Sequence, residues 1–418
     1  MKNAVFLSPN NGNHTLLFIS TILLFFVTAF ASFTRWSNYI LYPFWAIWLV
    51  YIFTSASKVR LTKDENSFVK VSVILLAIIL LYGLMGFSSM PRLAYLVNIN
   101  LIVSGVVAIY AMKFLSSREQ YSLYIVMFIV LVLLMIVFIR IGRTLLLFDE
   151  FAAAGVTNAW YGSLYMLISG LSLIFIINVR KFWPRIIAIV LLLLTLYLNF
   201  TILQRGTNVI LTIAELGLIM IFLVKRKSFI IILSIVIVAF SAFALSSDNL
   251  IAIFDWLAQV ISSERLAKRF NDISIALTYE SMDATNGSMS ARSDLIAVSW
   301  NTFTSSFSSF LFGVGEHAGD NDVIGHHSFI TDMLACYGLV GGVVLFVYFK
   351  KQYQIIMSYL NKKTEWALYM QCTVVFLIYV IRNFYGIMAY SLVNFVILLF
   401  FPLTFQLIHY YSNKNQII

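Results

Sequence analysis

The residues able to do chemistry are few, and they fall in order from the middle of the chain onward. Arg205 and Gly206 interrupt two apolar runs, Arg265 and Arg269 close an amphipathic stretch, and Arg292 precedes Trp300. A Gly313-Val314-Gly315 turn then leads to the doublet His326 and His327, and Arg382 closes a later apolar run. Arginine presents a planar fork of donors that matches phosphate bidentately. Histidine titrates near neutrality and is available for proton transfer. Each feature also has a plain structural reading: a helix-end arginine snorkels to the interface, a lone histidine caps a helix, and a Gly-X-Gly turn is common. His317, Asp320, Asp322, His326 and His327 hold enough donors for a cation, yet no His-Glu-X-X-His spacing accompanies them. The expectation is chemistry without metal or cofactor.

These residues must be positioned by a membrane protein. Of 418 residues, 61% are hydrophobic and only 11% charged, with mean hydropathy +0.91. A soluble domain carries about 25% charged residues to face water. The net charge of +10 therefore records topology rather than affinity for nucleic acid, which is excluded as a partner. Long apolar runs favour helices over the alternating pattern of an outer-membrane barrel. Cys336 and Cys372 stand inside apolar runs and read as packing residues.

A spanning helix needs about 20 mostly apolar residues to cross a hydrocarbon core of about 30 Å. Twelve runs qualify: 15–33, 38–55, 69–88, 94–112, 121–141, 160–179, 186–204, 207–224, 228–246, 327–349, 365–383 and 388–408. One side of this arrangement carries 18 of the 28 basic residues and the other 10. The positive-inside rule then puts both termini in the cytoplasm of a bacterial inner membrane. A cleaved leader ending near Ala31 is disfavoured, because a single Lys2 precedes a run long enough to span. Thirteen of the 18 inner bases are lysine and nine of the ten outer ones are arginine, a bias that points to phosphate recognition at the outer face.

Segment 247–326 is 80 residues long, lies between the ninth and tenth runs, and holds ten of the 18 acids. Connections of that length are functional or disordered. Ile253, Trp256, Leu257, Val260 and Ile261 form one stripe, which predicts a helix on the membrane surface, and a second helix is expected over about 291–310. Glu215 lies ~12 Å along a helix starting at Thr207, an intramembrane acid that calls for a structural partner. Asp332 and Arg382 stand at outer helix ends as a prospective ion pair.

In order and spacing the chain resembles the O-antigen polymerase and ligase superfamily, polytopic inner-membrane enzymes that transfer glycans from undecaprenyl pyrophosphate. The resemblance rests on Arg292 to Trp300, the Gly313-Val314-Gly315 turn, His327-Ser328 opening a membrane helix, and the glycine-rich stretch from Tyr337 to Gly342, with Arg205 and Gly206 upstream. It covers roughly 185–350. The family's histidine is commonly followed by Asn or Ser, which fits His327 and puts His326 one place early.

The resemblance implies an all-α bundle of the GT-C-like kind: one membrane domain of about twelve spans, with 247–326 as a large periplasmic loop. It implies that Arg205 and Arg292 hold the pyrophosphate while His327 takes a proton from, or orients, the acceptor hydroxyl. Arg265, Arg269, Arg382, His326, Gly313 and Gly315 would contribute to binding. The implied partners are undecaprenyl-pyrophosphate-linked oligosaccharides and membrane lipid, with a chain-length regulator and a flippase alongside. The implied activity is polymerisation of repeat units for a lipopolysaccharide-type glycan. Ligation of the glycan to lipid A core uses the same residues. A flippase or other transporter is the reading from another class, and it is weakened by the lack of paired halves.

Overall fold

Helices form where apolar runs meet good helix starts, and the starts are built from short polar side chains. Thr62 and Glu65 cap α3 (Lys63–Leu84) reciprocally, Thr62 N donating to Glu65 Oε2 at 2.8 Å and Glu65 N to Thr62 Oγ1 at 3.3 Å. Ser116 and Glu119 repeat the arrangement at α5 (Ser117–Leu146), with distances of 2.7 and 3.4 Å. The computed structural model describes residues 14–29, 37–55, 59–84, 92–146, 158–203, 206–222, 247–260, 264, 267–268, 270–271, 274–275, 288–315, 322–325, 328–384 and 390–413. Among them there is no strand.

The remaining elements are α1 (His14–Ala29), α2 (Ser37–Ser55), α4 (Arg92–Phe114), α6 (Asn158–Asn178), α7 (Phe182–Tyr197), α8 (Gly206–Ile221) and α9 (Ser247–Val260). They continue with α10 (Ser288–Thr304), α11 (Phe307–Phe312), α12 (Phe329–Met357), α13 (Trp366–Arg382), α14 (Tyr390–Phe395) and α15 (Phe401–Asn413). π-helical turns at Leu198–Leu203 and Val396–Phe400 extend α7 and join α14 to α15. Eleven of the twelve expected apolar runs hold a helix; 228–246 lies outside the described residues. Five stretches are long and apolar enough to cross a membrane: Lys63–Tyr82, Ser117–Val137, Phe182–Phe200, Phe329–Met357 and Leu392–Tyr411. The described residues thus form an all-helical structure, with apolar helices compatible with a membrane-embedded protein. Of the amphipathic segments, α9 is helical up to Val260, while the second helix, expected over about 291–310, ends at Thr304 and resumes as α11 at Phe307. Trp256 and Val260 on α9 are exposed, while Phe254 packs toward Val209 and Phe270.

Two ends can be distinguished. At the lysine end, Lys113 pairs with Glu65 at 3.0 Å and Lys351 with Asp64 at 3.1 Å, tying α3 to α4 and α12. There too Glu365, ahead of α13, meets His409 of α15 at 2.6 Å. Midway, Asn394 donates to Tyr348 Oη at 2.9 Å and accepts from Gln352 Nε2 at 2.6 Å, a polar knot between α14 and α12 within apolar packing. Cys336 and Cys372 are buried, with no disulfide among the described residues. The opposite end, where α7 and α13 finish and α8 and α12 begin, carries the site.

Candidate functional site

The first turn of α12 organises this end. Ser328 caps the helix, accepting from Thr331 N at 3.3 Å, and its own N–H donates to Asp332 Oδ2 at 3.2 Å. Asp332 Oδ1 accepts from Ser299 Oγ on α10 at 2.6 Å, and Ser299 in turn accepts from Gly325 N at 2.9 Å. Ser299 and Ser328 are fully buried, so these bonds form away from competing water. Gly325 is required by close approach: a Cβ there would stand 1.8 Å from Leu295 O on α10. Thr302 Oγ1 donates to Val323 O at 2.6 Å. α10, segment 322–325 and the head of α12 are therefore tied together.

A second tie comes from a break in α12. Gly338 adopts φ +63°, a conformation in which the helical ladder cannot continue. Carbonyls just ahead of such a break lose their i+4 donors, and Ala335 O and Cys336 O instead accept from Val314 N at 3.0 Å and Gly315 N at 2.9 Å. Gly313 and Gly315, at φ +76° and +83°, let the strap lie flat on α12. Tyr82 at the end of α3 donates to Phe312 O and meets Tyr337 edge-on at 5.3 Å.

The third tie is Arg382. It closes α13 with only 3% of its surface exposed, and its Nε donates to Asn208 Oδ1 in the first turn of α8 at 2.5 Å. The next residue's carbonyl, Asn383 O, accepts from Ile330 N on α12 at 3.3 Å. One buried guanidinium thus stands where two helices, α8 and α12, present their N-termini. Helix N-termini carry partial positive charge. At α12 that charge is met by Asp332 in its first turn, and the N–H groups of Ser328, Ile330 and Thr331 are engaged, so Arg382 and the head of α8 are the groups of this end that favour an anion.

Of the residues expected at the site, the structure brings Gly313, Gly315 and Arg382 to this end, and Arg292 lies on α10, two turns before Ser299. The side chain of Arg292, together with Arg205, Arg265, Arg269, His326 and His327, lies outside the described residues. Asp332 accepts from Ser299 and Ser328, and Arg382 donates to Asn208. Glu215 overturns an expectation. It is fully buried, and neither carboxyl oxygen has a hydrogen-bond partner among the described residues. Its room comes from Gly170 on α6, where a Cβ would stand 2.4 Å from Glu215 Oε1.

Sequence reasoning missed Ser299, Asn208 and the positioning role of Asp332. Asn208 could have been read as the first polar residue after the Arg205-Gly206 break. Ser299 and Asp332 are separated by 33 positions, and no local pattern links them. Among the described residues, no group of three or more His, Cys, Asp or Glu can hold a metal ion. No family model matches the chain, and no curated protein matches it.

Proposed function

We propose that the chain is a glycosyltransferase of the bacterial inner membrane. In this reading it joins undecaprenyl-pyrophosphate-linked oligosaccharide repeat units on the periplasmic face, both termini being cytoplasmic. The observation that carries the reading is that α10 and the Gly313–Gly315 strap are tied to the first turns of α12, beside which buried Arg382 reaches the first turn of α8. Cleaving a glycosyl pyrophosphate leaves charge on the departing oxygens that grows toward the transition state. Donors fixed in advance stabilise that charge more than they stabilise bound substrate. Arg382, with Arg292 and Arg205, supplies the forks, and the strap and Asp332 keep their helices in register. His327, joined in sequence to the buried cap Ser328, takes the acceptor hydroxyl's proton or holds that hydroxyl. Transfer to lipid A core in place of a second repeat unit would use the same groups.

The test is polymer formation in vitro from purified lipid-linked repeat units, with enzyme amounts matched. His327→Ala is expected to lose a hundredfold or more, the scale of a general base, while His326→Ala keeps most activity. Arg292→Lys keeps the charge but loses the fork, and is expected to fall with it. A fully active His327→Ala would remove the catalytic assignment. In a deletion strain, one retained unit on the surface glycan marks a polymerase, bare core marks a ligase, and intact glycan overturns both.

A further inference from the structure

The lysine end carries a feature that glycosyl transfer does not use. Between α5, α6, α7 and α15 lies an apolar groove of about 310 Å³. Its floor is Leu171 and Phe175 of α6, and one wall is Tyr124, stacked on Phe400 at 4.7 Å between centroids and 8° between planes. The groove opens sideways between Ile125 of α5 and Ile187 of α7, both exposed. Their neighbours Ile129 and Val190 are exposed as well, so the opening lies in an apolar outer surface.

The groove's lower end is cationic. Lys181 Nζ sits 5.5 Å from the ring centroid of Tyr411, which lines the groove. Arg185 follows the lining residue Pro184, while Arg180 precedes Lys181 and Arg118 lies in the first turn of α5. All four cations are exposed, and none has an acidic partner among the described residues. Glu119, the acid nearest in sequence, is taken up by Ser116 N and Oγ, both at 2.7 Å. Phe182 and Trp183, 68% and 73% exposed, form an aromatic pair beside the cations, as at a membrane–water interface.

We propose that this groove holds one acyl chain of an anionic phospholipid, its phosphate resting on Arg118, Arg180, Lys181 and Arg185. An apolar slot of this volume suits a chain, an aromatic rim sets the headgroup level, and unpaired cations select negative charge. The occupant is a bulk phospholipid rather than the polyprenyl carrier, because the groove's cations stand at the start of α7 while Arg382 stands at the end where α7 finishes. The proposal takes the helices to be membrane-embedded and does not depend on glycosyl transfer.

Native mass spectrometry of the delipidated full-length chain tests it, with dioleoyl phosphatidylglycerol, dioleoyl phosphatidylcholine and undecaprenyl phosphate as probes. One phosphatidylglycerol adduct is expected, strongly preferred over phosphatidylcholine. Each cation near an anionic headgroup is worth about fivefold, so Lys181→Gln with Arg185→Gln should weaken it about 25-fold. Ile187→Trp, which fills the groove from an exposed position, should abolish the adduct while the lipid-free unfolding temperature stays at the parent value. Equal retention of phosphatidylcholine overturns the proposal, as does an adduct unchanged in both variants. Preference for undecaprenyl phosphate overturns the choice of occupant.

Discussion

Glu215 is a carboxyl group buried without a hydrogen-bond partner among the described residues, held in a niche that exists because residue 170 lacks a side chain. Leaving a buried polar group unsatisfied costs about 1–3 kcal/mol. Its helix also carries Asn208 and Thr212, both fully buried and spaced to share its face. Such a row in an apolar bundle weakens folding unless function needs it. Glu215→Met keeps the length and removes the polar atoms, so it should stabilise the fold by roughly 1–3 kcal/mol in chemical unfolding. A loss of stability in that variant would show that the carboxyl has a partner after all. Asp332 presents the opposite case: both its oxygens are engaged, by Ser299 and Ser328.

At the scale of elements, the glycines of α8 and α12 separate two effects that sequence alone confuses. Gly338 has φ +63°, and a Cβ there would stand 2.4 Å from the backbone of Leu311. Gly217 in α8 has nothing within 4 Å of such a Cβ. Gly338→Ala should therefore destabilise by about 2 kcal/mol or more through backbone strain and collision. Gly217→Ala should gain about 0.5–1 kcal/mol through helix propensity. Unfolding curves of the two variants should move in opposite directions, and a parallel shift would sink the assignment of the strap to the α12 break. The helices themselves were legible in the sequence because apolar length and polar caps are local signals, as at Thr62–Glu65 and Ser116–Glu119. The break in α12 was visible only as a glycine-rich stretch, since what makes it necessary is Leu311 and Phe312, chain neighbours of the Gly313-Val314-Gly315 turn rather than of Gly338. The Ser299–Asp332 bond and the Arg382–Asn208 bond were illegible for the same reason: each joins separate helices, and no spacing rule reaches across a fold.

For the whole molecule, the two ends differ in the way they handle charge. At the lysine end acids and bases pair across helices, as in Glu65–Lys113, Asp64–Lys351 and Glu365–His409, and exposed cations are left over around the groove beneath Tyr411. At the other end a buried arginine is held by an asparagine, beside the first turns of two helices. The first pattern is what a cytoplasmic face shows, where lysines fix topology and meet anionic lipid. The second is compatible with the proposed anion site, which needs a fork of donors held in a dry surround. The sequence expectation, from a division of the basic residues into 18 and 10, is that the side richer in lysine is cytoplasmic. Alkaline phosphatase folds only after export, so a fusion after Gly287 should be active in cells and one after Lys362 inactive. A green fluorescent protein joined after Ile418 should fluoresce, because it matures in the cytoplasm. The reverse pattern would put Arg382 and the strap on the cytoplasmic side, where a lipid-linked repeat unit awaiting polymerisation is not displayed, and the proposed reaction would fall with the orientation. The expected pattern would leave the lysine end facing the cytoplasmic leaflet, whose negative surface potential is the one its unpaired cations are placed to meet.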